Sequence, residues 1–163
     1  MQPERTTRAA QPYAAVALQG GMAEVVGALP EIFSELSAWL ATHEIAAAGA
    51  PFITYKSIRM PHCMAVEVGI PTAALAPADE RVRCDELPAG DYLETVYVGH
   101  YDGLMDATAA QLQWGADHDV EWDMQVREGV EHWAARLESY VTDPASEPDA
   151  AKWQTRLAIK INS

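Results

Sequence analysis

The sequence predicts an α+β fold: two βαββ modules in pseudo-two-fold duplication. They form an antiparallel sheet of about eight strands, with two long helices on one face and a ligand groove between the modules. Three observations carry this reading. The order strand, helix, strand, strand occurs twice along the chain. The run ITY at 53–55 occupies the place in the first half that ESY at 138–140 occupies in the second. At 163 residues, with 49% hydrophobic and 21% charged side chains, the chain suits one domain with a shared core.

Taken in order, residues 1–11 read as a disordered lead-in. Residues 12–19, PYAAVALQ, form a strand that Gly20 and Gly21 break. The spacing of Ile32, Phe33, Leu36, Trp39, Leu40 and His43 predicts a helix over 30–44, with Pro30 at its first position. Residues 52–57 and 64–70 are strands joined by RMPHC, and Glu67 falls opposite the apolar face of the second. Residues 71–90 are loop-like, with an edge strand near 81–85. The order then repeats: a strand at 91–98, a helix at about 102–117 capped by Asp102, and strands at 134–142 and 153–161. The first module spans 12–75 and the second 87–162. Within the second module 118–133 is ambiguous: Trp122, Val126, Val130 and Trp133 have helical spacing, but Gly129 and the charges weaken a helix.

Charge narrows the partners. The net charge is −13, from 24 acidic and 11 basic side chains. A nucleic-acid partner needs a Lys/Arg patch against phosphates, and an anionic membrane needs the same, so neither is expected. A cationic or amphipathic small molecule is the better match. Cys63 and Cys84 form no CxxC pair, which suits a reduced, cytoplasmic protein. The weak apolar stretch after Arg5 and Arg8 does not read as a signal peptide, and no run is long enough to span a bilayer.

GxxxxGK[ST], GxGxxG and GxSxG are absent, which removes support for a nucleotide cradle or a serine-hydrolase elbow. EGVEH at 128–132 has Glu128 where an HxxEH site needs His. His118, Asp119, Asp123 and His132 read as solvated polar residues, so no metal and no cofactor is expected.

The second half resembles the GyrI-like small-molecule-binding domain, the effector-binding domain fused to AraC-type and MerR-type transcription regulators and also found alone. The matching pieces are LPAGDY at 87–92, YDGL at 101–104, Trp114, RLESYVTDP at 136–144, EPD at 147–149 and WQTRLAIKI at 153–161. Looser matches in the first half are Tyr13, WLATHEI at 39–45, GAPFITY at 49–55 and VEVGIP at 66–71. The family commonly shows His-x-Gly-Pro-Tyr before its second helix. Here Tyr97 stands in place of that His and His100 in place of the Pro.

The resemblance implies a fold of two βαββ modules with the ligand cleft between them, and it carries the family's central cleft acid over to Glu138. Alternation places Leu137, Ser139 and Val141 on one face, expected to meet the helices. Arg136, Glu138 and Tyr140 fall on the other, expected to line the groove. A carboxylate in an apolar cleft serves as a cation anchor or a general base. The plain alternative is a strand Glu paired with Arg136. Glu67 is the counterpart acid in the first half. Tyr55, Tyr97, Tyr101 and Trp133 complete the expected ligand-binding set, with packing as the ordinary alternative for each ring.

Three functions follow as expectations. The first is a stand-alone module that senses or sequesters lipophilic cations or aromatic molecules, because about a dozen residues before the first strand leave no room for a helix-turn-helix unit. The second, by resemblance, is a hydrolase of cyclopropane-type toxins, with Glu138 as general base and Tyr101 or Tyr140 polarising the substrate. The third is a protein-binding inhibitor of the kind that restrains DNA gyrase.

Overall fold

Residues 2–59, 63–75 and 78–162 are described by the structure, a computed structural model. In chain order the elements are β1 (Glu4–Arg8), β2 (Gln11–Gly20), α1 (Met22–Thr42), β3 (Phe52–Arg59), β4 (Cys63–Pro71), β5 (Val82–Leu87) and β6 (Gly90–Val98). A 3-10 turn (Tyr101–Gly103), α2 (Leu104–Asp117), β7 (Met124–Arg127), β8 (Val130–Trp133), β9 (Arg136–Tyr140), a 3-10 turn (Ala150–Lys152) and β10 (Gln154–Lys160) complete the chain.

The expected α+β architecture is present. One antiparallel sheet runs β1-β6-β10-β9-β3-β4-β2-β5, and the hairpin β7–β8 joins it by pairing β8 with β3. The two halves repeat one arrangement, with β2, β3 and β4 carrying α1 and β6, β9 and β10 carrying α2. They meet where β3 pairs with β9, and there Ile53 stands opposite Glu138. The residues between β3 and β4 that were read as a connector include 60–62, which lie outside the described residues.

Residues 4–8 correct the disordered lead-in. ERTTR pairs with β6 from Glu4↔Glu94 to Arg8↔Gly90. Arg8 Nη2 donates to Glu94 Oε1 at 2.6 Å, and Thr7 Oγ1 donates to Asp91 Oδ1 at 2.8 Å. β1 lies at one end of the strand order and β2 next to the other end, yet only Ala9 and Ala10 join them. Pro88 and Ala89 likewise join β5 to β6. Two residues span roughly 10 Å, so the sheet curls until its two ends meet, and each half receives its edge strand from the other.

Register decides what faces what. Val16, Val68, Ile53, Glu138 and Leu157 form one row across five strands. α1 covers the first-half part of this face with Val25, Ile32, Leu36 and Leu40. The opposite face lines the inside of the curl, where Tyr13, Ala15, Phe52, Tyr92, Leu137 and Ala158 make a second core. This reverses the expected sides of β9: Leu137 enters the curl, and Glu138 and Tyr140 lie under the helices. Apolar character did not distinguish the two faces, because both are covered.

α1 starts eight residues before the expected position. Gly21 caps it, and its N–H donates to Glu24 Oε1 at 3.3 Å. Pro30 sits inside the helix at an exposed position, where the carbonyl it leaves without a partner, four residues back at exposed Val26, meets water. Both helices end alike. His43 stacks on Trp39 at 4.1 Å and His118 on Trp114 at 3.8 Å, and each His Nδ1 lies 2.8 Å from that Trp's carbonyl oxygen. The next residues, Glu44 and Asp119, take left-handed φ of 55° and 56°.

Inside α2, Gln111 is buried, and its Nε2 donates to the carbonyls of Leu93 at 2.9 Å and Leu157 at 3.3 Å. One turn on, Gly115 meets Trp122: a Cβ there would stand 2.3 Å from Cζ2 of the ring. Helix propensity alone favours alanine by about 1 kcal/mol, but overpacking costs about 1–3 kcal/mol. Gly115→Ala is therefore expected to lower the urea midpoint. A variant at least as stable as the wild type would show that the indole yields freely.

Candidate functional site

The centre of the sheet places a carboxylate where the two halves meet. From β9, Arg136, Glu138 and Tyr140 share the helix-bearing face, and Tyr55 reaches the same point from β3. Glu138 accepts hydrogen bonds from Tyr55 Oη at 3.2 Å and from Tyr140 Oη at 3.0 Å. Burial pushes the Glu138 carboxyl above its ordinary value, against the two tyrosine hydrogen bonds and the nearby Arg136 charge, which pull it down. Burial, then the Glu138 charge, raises both the Tyr55 and Tyr140 phenols.

Aromatic rings surround this carboxylate. Phe33 of α1 meets Tyr140 edge-to-face with centroids 6.0 Å apart. Tyr101 also meets Tyr140 edge-to-face, with centroids 5.6 Å apart, and the Trp153 ring lies 4.8 Å from Tyr101. His100 stacks on Trp153 at 5.6 Å. The turn that carries Tyr101 is held from below, where Tyr97 Oη donates to the His100 carbonyl at 2.8 Å. A Cβ on Gly103 would come within 2.0 Å of that hydroxyl, so a larger residue there would have to displace it from the turn. His100 Nδ1 accepts from the Asp102 N–H at 3.1 Å.

Arg136 forms the remaining wall. Its guanidinium carbon lies 4.7 Å from the Trp133 ring centre and 5.6 Å from that of Tyr55. Trp133 Nε1 donates to Glu131 Oε1 at 3.1 Å. Among the described residues Arg136 makes no ion pair within 4.0 Å, so the plain alternative of a Glu138–Arg136 salt bridge is not what the geometry shows.

Of the expected residues, the fold gathers Glu138, Tyr140, Arg136, Tyr55, Tyr101 and Trp133. It separates two. Tyr97 uses its hydroxyl to hold the turn and does not reach Glu138. Glu67 lies on the other face of the sheet, inside the curl, 6% exposed. There it accepts from Tyr13 Oη at 2.5 Å and faces Lys56 Nζ at 3.3 Å. A hollow of about 550 Å³ bordered by Ala17, Gln19, Lys56, Arg83 and Asp85 opens beside it. Glu67 and Glu138 therefore do not share one cleft. Phe33 and Trp153 were not anticipated as part of the site. Phe33 belongs to an apolar helical stripe that reads as core, and Trp153 opens the WQTRLAIKI match, where alternation gives no sign of its partners. Among the described residues no group of three or more His, Cys, Asp or Glu is placed to hold a metal ion, and no helix is long and apolar enough to cross a membrane.

This arrangement can hold a positive charge against a carboxylate ringed by aromatic faces. It can also present a carboxylate of raised proton affinity to a bound molecule.

No protein-family model matches the chain, and no curated protein matches it. Solved structures do. The EcmrR C-terminal domain superposes with a TM-score of 0.77 at 16% identity, covering 99% of this chain and 98% of that one. EcmrR in complex with DNA gives 0.78 at 16% identity, and there this chain spans only 57% of the other. SAV2435 bound to tetraphenylphosphonium gives 0.62 at 8% identity, covering 100% and 95%. A hydrolase from Listeria innocua gives 0.58 at 14% identity, covering 99% and 92%. The chain therefore has the fold of the EcmrR C-terminal domain.

Proposed function

We propose that this chain is a GyrI-like effector-binding domain that takes small amphipathic, aromatic and cationic molecules between α1 and α2, in sensing or sequestration within the cytoplasm. The observation that carries this is Glu138, a buried carboxylate that among the described residues makes no ion pair within 4.0 Å and whose surroundings are aromatic. A lipophilic cation supplies the charge and stacks on the rings. The binding of tetraphenylphosphonium by SAV2435, a protein of like fold, supports the same reading. Tyr101 and Phe33 both rest on Tyr140, so a ligand reaches Glu138 by displacing one of them.

Titration calorimetry with tetraphenylphosphonium tests this. The wild type is expected to bind, and Glu138→Gln to bind at least about tenfold more weakly, a loss of about 1.4 kcal/mol. Unchanged affinity in the variant would sink the proposal. The same variant has a stability signature. A carboxyl whose folded value is raised contributes fully at pH below its unfolded value and loses that contribution as pH rises through the folded one. Glu138→Gln is thus expected to melt higher than the wild type at neutral pH, with the gain fading as pH falls through the folded value and gone below about pH 4.3.

A second reading has its own support. The Listeria innocua hydrolase shares the fold, and a Glu138 of raised proton affinity is suited to general-base work beside Tyr101 on a strained, cyclopropane-type electrophile. In that case Glu138→Gln keeps substrate binding and loses turnover.

A further inference from the structure

Arg136 sits beside the carboxylate that the proposed ligand is meant to neutralise, and this is an awkward neighbour for a simple cation. Its guanidinium is flanked by the faces of Trp133 and Tyr55. Ring faces attract the charge, but a guanidinium's N–H groups point outward within its plane and need acceptors there. Nε is buried and has no hydrogen-bond partner among the described residues. Glu131 and Glu138 both feel the Arg136 charge, yet neither comes within 4.0 Å of it. Buried donors are nearly always paired, so one left open next to a candidate binding site needs an acceptor to complete it.

We infer that Arg136 makes the cleft bipolar: the preferred occupant is an aromatic molecule that carries a hydrogen-bond acceptor, above all a carboxylate, close to its cationic group. This rests on the proposed reading of the site and sharpens it. Glu138 takes the cationic end and the open edge of Arg136 takes the acceptor. The planar fork of an arginine matches a carboxylate better than a point charge does. A cation without an acceptor approaches Glu138 against the like charge of Arg136, so Arg136 disfavours the purely cationic ligands that Glu138 attracts.

The test uses a matched pair of dyes, rhodamine B, a xanthylium cation with a free carboxylate, and its ethyl ester. Binding is followed by fluorescence anisotropy on the intact chain, with tetraphenylphosphonium as a third, acceptor-free ligand. The wild type is expected to prefer the carboxylate dye by about tenfold or more, the scale of one charge-assisted hydrogen bond. Arg136→Met should bring that ratio close to one and tighten tetraphenylphosphonium several-fold. A melting curve checks that the variant is folded, and Arg136→Gln carries the same comparison if it is not. A wild-type ratio of one or below overturns the inference without any variant, and so does a ratio that survives in either folded variant. If tetraphenylphosphonium binds in a Glu138-dependent way while the dyes are not distinguished, the role given to Arg136 fails alone. If none of the three ligands binds the wild type, the reading of the cleft fails with it.

Discussion

Above about pH 10 the protein is expected to unfold cooperatively, with the phenolate absorbance at 295 nm rising in step with the loss of folded signal. The cause is the placement of its tyrosines. Burial, then contact with Glu67, raises the Tyr13 phenol; burial, then the Glu138 charge, raises Tyr55 and Tyr140; burial pushes Tyr92 up to about 12. The folded chain keeps these hydroxyls protonated while the unfolded chain releases its protons near pH 10. A raised folded value means stability fully present below the unfolded one and lost as pH climbs towards the folded one. Each such tyrosine costs about 1.4 kcal/mol per pH unit above 10. Tyr13, Tyr55 and Tyr140 together then remove about 4 kcal/mol by pH 11, a large part of the 5–15 kcal/mol typical of a domain. A smooth titration of all six tyrosines near pH 10 in a protein that stays folded would contradict this.

Tyr13→Phe is expected to be the most damaging of the small changes. Tyr13 is 1% exposed and donates to a carboxylate that is itself buried. Without the hydroxyl, Glu67 keeps, among the described residues, the Lys56 ammonium at 3.3 Å. Hydrogen bonds to buried charges are worth about 1.5–3 kcal/mol. For a chain of this size a loss of about 2 kcal/mol lowers the melting temperature by roughly 4–8 °C. The cost belongs to the stranded carboxylate, so adding Glu67→Leu to Tyr13→Phe should recover most of it. Equal damage in the single and double variants would show that the phenol acts by packing against Phe52, whose ring it meets at 5.4 Å.

The architecture was legible because periodicity and punctuation agree with the fold in both halves. The alternation of Met64, Val66, Val68 and Ile70 and the helical stripe of Ile32, Leu36 and Leu40 are real core rows. Three features were not legible, each for a physical reason. Pro30 marks a helix start only when the carbonyl four residues back cannot reach water, and here it can. In 118–133 the helical spacing does not make a helix: Trp122 bridges to Ile161, and Val126, Val130 and Trp133 belong to a hairpin. Its turn is set by Glu128 and Gly129, both at positive φ, 53° and 77°, the pairing that two-residue hairpins need. The faces of β9 could not be assigned from polarity, since a helix covers one and the curl covers the other. The same point governs which expected residues meet: Glu138, Tyr55 and Tyr140 come together on the helix-bearing face, whereas Glu67, expected beside them on alternation, is turned to the opposite side by strand register.

The exchanged edge strands shape how the chain emerges during synthesis. Glu4 pairs with Glu94, so β1 leaves the ribosome long before its partner exists. At about 5–20 residues per second it waits roughly 5–20 s. Through that interval the strand is an unpaired ribbon next to other nascent chains. Its composition suits the wait: ERTTR carries Glu4, Arg5 and Arg8 and no large apolar side chain, which makes it a poor template for pairing with strangers.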